Sequence, residues 1–428
     1  MATDRMYDLA FRFRNRKLWQ QLADTEVYGV LFADGEIGYC SVMGALGEHL
    51  ALGVYVGQNG YASYCYTLDH APGTLSQDDE MELIVGQDCI QCSFESKDML
   101  AEDELAEIQE YCKKNEKKLR GKNAFPQFMK YVPGQYPWHF DSKLDEDRIC
   151  QALEASLWLE KVLKKYTKEE IRLFELRRDG KIPLLVKNGS DWEIRYTALP
   201  SPERVWPTPI LENEVLVARI QKMKKKGTWE SGTFYFPSPV QAEEDEDSEE
   251  DEAAIDAAPY FPLMLMNVDR KTGMVLRPVM GNGRDAEELL RELAEGMLAD
   301  QNAPKSILVG DDRAFALLTD FCERTGIQLR KENHLPKFLE AKTSLMHQFD
   351  RDNAWPDDDE DWDDEDDDDL PFDEGEAEEL DQFFETLLKM RDEELKTMPR
   401  DLVKMIREMA EWGLVPDELV KRIKKLFH

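Results

Sequence analysis

The sequence predicts a mixed α/β (α+β) protein, with two α/β sandwich-like domains followed by a small C-terminal helical module. Three observations carry that expectation. Apolar residues recur at period two and then at helical spacing along most of the first 350 positions. With 428 residues, 42% of them hydrophobic and 10% aromatic, there is enough apolar material for separate cores, which excludes a wholly disordered chain. Two acidic runs then cut the chain into units. The formal charge of -35 arises from 54 Lys plus Arg against 89 Asp plus Glu, but residues 243–252 and 357–369 hold 9 and 12 carboxylates with no basic residue, and Asp373 and Glu374 bring the total to 23. The rest is nearly balanced, so the charge sits at the joints. The units are a domain at 1–241, an acidic linker at 242–256, a compact domain at 257–352, an acidic disordered linker at 353–375 and helices at 376–428.

In the first unit, Tyr7, Phe11, Leu18 and Leu22 fall at helical spacings within 4–23. Residues 26–32 and 36–43 flank the turn signal Ala33-Asp34-Gly35, and 49–56 is a third apolar run, so a three-strand meander is expected. Residues 87–94 alternate as a fourth strand, while 101–118 and 145–165 have helical periodicity. The segment 125–140 between them is so rich in proline and aromatic residues that no regular element is expected there. Beyond Pro183, hairpin-like segments are expected at 184–186 and 192–197 around Asn188-Gly189, then at 214–222 and 232–236.

The second unit reads as a hairpin (260–268 and 274–279), a helix at 284–298, a strand at 306–309, a helix at 311–325 stopped by Gly326, a strand at 327–329 and a helix at 337–349. The order β-β-α-β-α-β-α is that of a compact α/β sandwich. In the terminal module, Phe383, Phe384, Leu387 and Leu388 lie on one stripe, a candidate partner-binding face of the helix-in-groove kind.

Residues 87–100, the segment Pro-Gly-Gln-Tyr-Pro-Trp at 133–138, and Pro304-Lys-Ser-Ile-Leu-Val-Gly-Asp-Asp-Arg313 with Gly326-Ile-Gln-Leu329 resemble an uncharacterised bacterial family that pairs two domains of unknown function in this order. The resemblance spans residues 5–350, leaves out the acidic runs and the terminal helices, and implies no activity.

Candidate chemistry is sparse. Cys89-Ile-Gln-Cys92 has CxxC spacing, but in an alternating strand its thiols point to opposite faces, and no second pair completes four zinc ligands. Gly281-Asn-Gly-Arg-Asp-Ala286 matches half of a phosphate-binding fingerprint; Asp285, Glu287 and Glu288 would then repel a pyrophosphate, so a turn and helix cap is expected. Asp269, Asp311 and Asp312 at strand ends, with Glu287, form a candidate divalent-metal site for phosphodiester cleavage, as in two-metal nucleases. The simpler reading makes Asp269 a turn residue and Asp311 a helix cap. A ribonuclease H-like nuclease is also expected to show a longer meander before its first helix. Lys113, Lys114, Lys117, Lys118, Arg120 and Lys122, followed by Phe125, are a candidate nucleic-acid contact or solvated surface.

No GxSxG, GxxxxGK[ST] or HExxH motif occurs, and no cofactor is evident. No apolar run reaches the roughly 18 residues of a membrane span. Seven scattered cysteines in apolar context read as reduced thiols, hence a cytoplasmic protein without membrane attachment. The expected role is protein interaction or scaffolding rather than catalysis. The acidic runs would capture a basic partner protein or the chain's own basic patches, with metal-dependent phosphodiester cleavage or nucleic-acid binding as alternatives.

Overall fold

The apolar runs at the start of the chain form an antiparallel meander: β1 (Tyr28–Leu31), β2 (Ile37–Met43) and β3 (Leu50–Val56), with Tyr28 opposite Cys40 and Cys40 opposite Val54. The computed structural model describes residues 2–45, 47, 49–70, 77–117, 119, 122–241, 258–353 and 422. The linker 242–256, residues 354–375, the terminal stripe of Phe383, Phe384, Leu387 and Leu388, and Lys118 and Arg120 therefore lie outside the described residues. β4 (Cys89–Glu95) and β5 (Phe125–Tyr131) extend the meander on one side. β6 (Lys181–Asn188) lies parallel to β1 on the other side and turns at Gly189, whose φ of +64° suits the hairpin, into β7 (Asp191–Ala198). The seven-stranded order is β5-β4-β3-β2-β1-β6-β7.

One face of this sheet packs on α1 (Asp4–Arg16) and α5 (Lys143–Lys165), burying Phe13, Leu52, Phe94, Ile149 and Leu153. α5 also lies within the long connection that the parallel β1–β6 pair requires. The opposite face buries a smaller cluster of Tyr39, Tyr55, Tyr64, Cys89 and Ile182, to which α2 (Gly57–Asp69) contributes. α3 (Gln77–Val85) and α4 (Glu102–Lys114) complete this part.

Two expectations are corrected here. The proline-rich segment does contain a strand: β5 is at the edge of the sheet, so the missing N–H of Pro126 removes no inner ladder bond. Residues 214–222 are not hairpin text but helix α6 (Glu214–Lys222), capped by Asn213, whose side chain accepts from Leu216 N; Leu216, Val217 and Ile220 are its buried stripe. Tertiary packing overrides the strand preference of its β-branched residues.

A third correction concerns the domain boundary. β8 (Thr228–Tyr235), expected in the first unit, is the centre of the second sheet, antiparallel to β9 (Leu263–Asp269) and parallel to β11 (Ser306–Val309). With β10 (Val279–Gly281) and β12 (Gln328–Lys331) the order is β10-β9-β8-β11-β12. The meander before the next helix thus has three strands, not two. α6, α7 (Ala286–Ala299) and α8 (Asp312–Thr325) cover one face around Trp229, Leu265, Ile307 and Phe321. α9 (Pro336–Asn353) covers the other, over Phe234, Met264, Met266 and Val268.

Gly232 is what lets α9 sit close. A Cβ at this position would lie 2.5 Å from the ring of Phe338, so Gly232→Ala is expected to cost about 1–3 kcal/mol in a urea titration. An unchanged midpoint would mean that α9 is held less tightly than this contact implies.

Both sheets belong to one compact unit, Met1–Asp352. They meet where Phe261 N donates to Gly134 O (2.8 Å) and Tyr136 N to Pro259 O (2.7 Å), with the rings of Tyr136 and Phe261 stacked at 6.4 Å. Among the described residues no helix is long and apolar enough to cross a membrane.

Candidate functional site

The four carboxylates expected at a metal site are not brought together. Asp269 is paired with Trp229 near the start of β8, whereas Asp311 bonds to Thr233 near its end; four residues along a strand is about 13 Å. Each has its own structural task. Asp269 Oδ1 accepts from Lys271 N (3.1 Å), Thr272 N (2.8 Å) and Thr272 Oγ1 (2.9 Å), forming the turn into the second arm of the hairpin. The Thr272 amide, followed by its hydroxyl and the Lys271 amide, holds that carboxyl below the usual range. Asp311 caps α8, accepting from Ala314 N (2.7 Å), and also holds Thr233 Oγ1 (2.9 Å). Asp312 pairs with Lys331, and Glu287 accepts from Glu212 N (2.9 Å). Among the described residues no group of three or more His, Cys, Asp or Glu side chains is placed to hold a metal ion.

The longer meander removes one argument against a ribonuclease H-like nuclease. The side chains at the carboxyl end of β8 and β11 supply another. Opposite Asp311 stands Thr233, and Arg313 Nε donates to that threonine hydroxyl (3.0 Å). Arg313 lies over the rings of Tyr235 (4.5 Å) and Trp206 (5.2 Å), with Glu82 of α3 3.4 Å away. Arg204 stacks on the same indole and lies 3.8 Å from Glu82. These two guanidiniums, shared between one indole and one carboxylate, stabilise the junction of the two sheets, and their positive charge disfavours a metal cation beside them.

The basic cluster is partly committed as well. Lys114 pairs with Asp4 (2.5 Å), and Lys117 pairs with Asp8 (3.2 Å) while lying over the ring of Phe11 (5.0 Å). Lys113 closes the last turn of α4, where it favours the helix dipole, and Lys122 contributes its carbonyl to Arg14. Cys89 and Cys92 point to opposite faces of the first sheet, one in each cluster, and burial pushes both thiols well above the ordinary range. Asn282 and Asp285 form the turn and cap of α7, with Asp285 accepting from Glu288 N (3.1 Å).

The feature that sequence reasoning missed is a cavity of about 300 Å³ beneath the N-terminus of α5. Alternation places Val56, Asp88, Ile90, Lys130 and Val132 on the sheet face that α5 covers, but α5 starts only at Lys143, so its first turns overhang this corner instead of filling it. Ser142, Leu144, Asp145 and Arg148 form the wall. The cations here are bound: Lys130 Nζ to Asp145 (2.8 Å) and Asp141 (2.9 Å), Arg148 to Asp34 (2.8 Å). Ser142 caps α5 by accepting from Asp145 N (3.2 Å) and donates to the Asp145 carboxylate (2.6 Å). Asp88 is different. Its carboxylate has no hydrogen bond or ion pair among the described residues, and burial, opposed by Arg204 and Lys130, holds it above the usual carboxylate range. A signal was present in the charged Lys130 at an inward position between Phe128 and Val132.

Comparison with known proteins adds little chemistry. No curated protein sequence matches the chain significantly. A solved structure described as a simian T-cell lymphotropic virus intasome in complex with PP2A regulatory subunit B56 gamma matches 36% of the chain at 14% identity and a TM-score of 0.19. The match spans about half (48%) of that other chain, and a likeness at this level carries no argument about fold or function. Family models match both halves of the described body, with the second beginning inside α6 and thus including β8. The chain carries, in this order, a domain of unknown function (DUF7309) over residues 4–179 and a second domain of unknown function (DUF6930) over residues 216–346.

Proposed function

We propose that this protein serves a non-enzymatic, cytoplasmic protein-interaction role in which a compact two-sheet body carries acidic tethers that engage a basic partner. The observation that carries this reading is the distribution of counter-charge. Within the body, lysines and acids largely answer one another: Lys114 with Asp4, Lys117 with Asp8, Lys168 with Glu26 and Lys331 with Asp312. The 23 carboxylates of the acidic runs have no basic residue among them. Their charge is therefore in excess of what the body neutralises, and it favours a basic partner over the chain's own patches. The same pairing weakens the nucleic-acid reading.

The test compares proteins captured from cell extract by the full chain and by a chain whose acids at 357–369 are replaced by Asn and Gln. The partners are expected to be basic, to be released between 50 and 300 mM salt, and to be lost with the neutralised run. Capture of the same partners by both chains would overturn the proposal.

A further inference from the structure

We infer that the cavity beneath the N-terminus of α5 binds a small primary amine with an apolar body, its ammonium group donating to Asp88 and its hydrocarbon lying along Val56, Ile90, Val132 and Leu144. The inference is independent of the acidic tethers.

The choice of ligand follows from which groups are already used. A helix N-terminus with a lysine and an arginine nearby is ordinarily an anion site. Here that capacity is spent: Ser142 and Asp145 close the first turn of α5, Lys130 is held by two carboxylates, and Arg148 is bound to Asp34. Asp34 and Asp141 reach in from outside the cavity lining, so with Asp88 and Asp145 four acids face Lys130, Arg148 and, from beyond the lining, Arg204. Asp88 is the open one. A partly buried carboxylate without a donor gains most from a charged N–H group. The four apolar side chains give such a ligand somewhere to place a carbon skeleton, and about 300 Å³ is at the small end of ligand cavities.

The experiment is calorimetric titration of the full chain with cyclohexylamine, and with cyclohexanol and cyclohexanecarboxylate as neutral and anionic molecules of the same shape. Working at 300 mM NaCl screens loose attraction to the acidic runs. The expected result is one saturable site for the amine, no binding of the other two, and at least tenfold weaker amine binding in Asp88→Asn. Leu144→Trp, on a rim side chain that is 46% exposed, should block the cavity without disturbing the core, and it keeps the test valid should the first variant fail to fold. The inference is overturned if wild type takes no amine, if the carboxylate binds better than the amine, or if both variants bind the amine as wild type does.

Discussion

Glu230→Ala is expected to lower stability by about 3 kcal/mol and to release α9 from the second sheet. Glu230 stands in the middle of β8, is fully buried, and points at the start of α9. There its Oε2 accepts from Lys337 N (2.8 Å) and Phe338 N (3.0 Å), two of the N–H groups that a helix cannot satisfy for itself. Pro336 precedes them as the first helical residue, where its missing N–H costs nothing. Arg270 supplies a counter-charge to the other oxygen at 3.5 Å. Truncation removes the acceptor and leaves the two amides buried beside an unbalanced arginine, so the loss exceeds that of an ordinary surface cap. Chemical denaturation with limited proteolysis near residue 336 measures both effects. Glu230→Gln, which retains an acceptor oxygen, should cost less than half as much. A loss below about 1 kcal/mol for the alanine variant would show that α9 is held by its apolar stripe alone.

Asp311→Ala should be nearly as damaging, at about 2–4 kcal/mol. One carboxylate here does three things: it caps α8 through Ala314 N, holds the hydroxyl of Thr233 on the neighbouring strand, and sets a negative charge beside Arg313. The cap alone is worth about 1 kcal/mol. The remainder is the cost of leaving the Thr233 hydroxyl without its acceptor and of removing one of the two acids, beside Glu82, that balance the largely buried Arg313. Asp311→Asn keeps the cap and should recover much of the loss.

Local chemistry was legible in the sequence, and long-range partner choice was not. Asp311 as a cap, Asp269 as a turn residue, Gly326 as a helix stop and the inward alternation of Cys89 and Cys92 depend on neighbours within a few positions. The structure has them in those roles. The sequence points β8 to the first unit because its antiparallel partner β9 begins beyond an acidic run, and nothing within eight residues of strand text says which sheet will accept it. Likewise α6 looked like strand text because Val215, Val217 and Ile220 are β-branched, and only its packing against α7 and α8 reveals the helical stripe. The cavity was invisible for the same reason. Asp88 precedes β4, Lys130 is in β5 and Asp145 is in α5, with no fixed spacing to betray them.

The most direct test of whether the strand-end carboxylates are structural is a melting curve of the full chain and of Asp311→Ala, each with and without millimolar Mg²⁺ or Mn²⁺. The account predicts a lower midpoint for Asp311→Ala and no metal-dependent shift that distinguishes it from wild type. Weak binding by the acidic runs is available to folded and unfolded chains alike and so cancels. A rise in the wild-type midpoint with metal that Asp311→Ala abolishes would contradict the account and restore a metal centre at the end of β11.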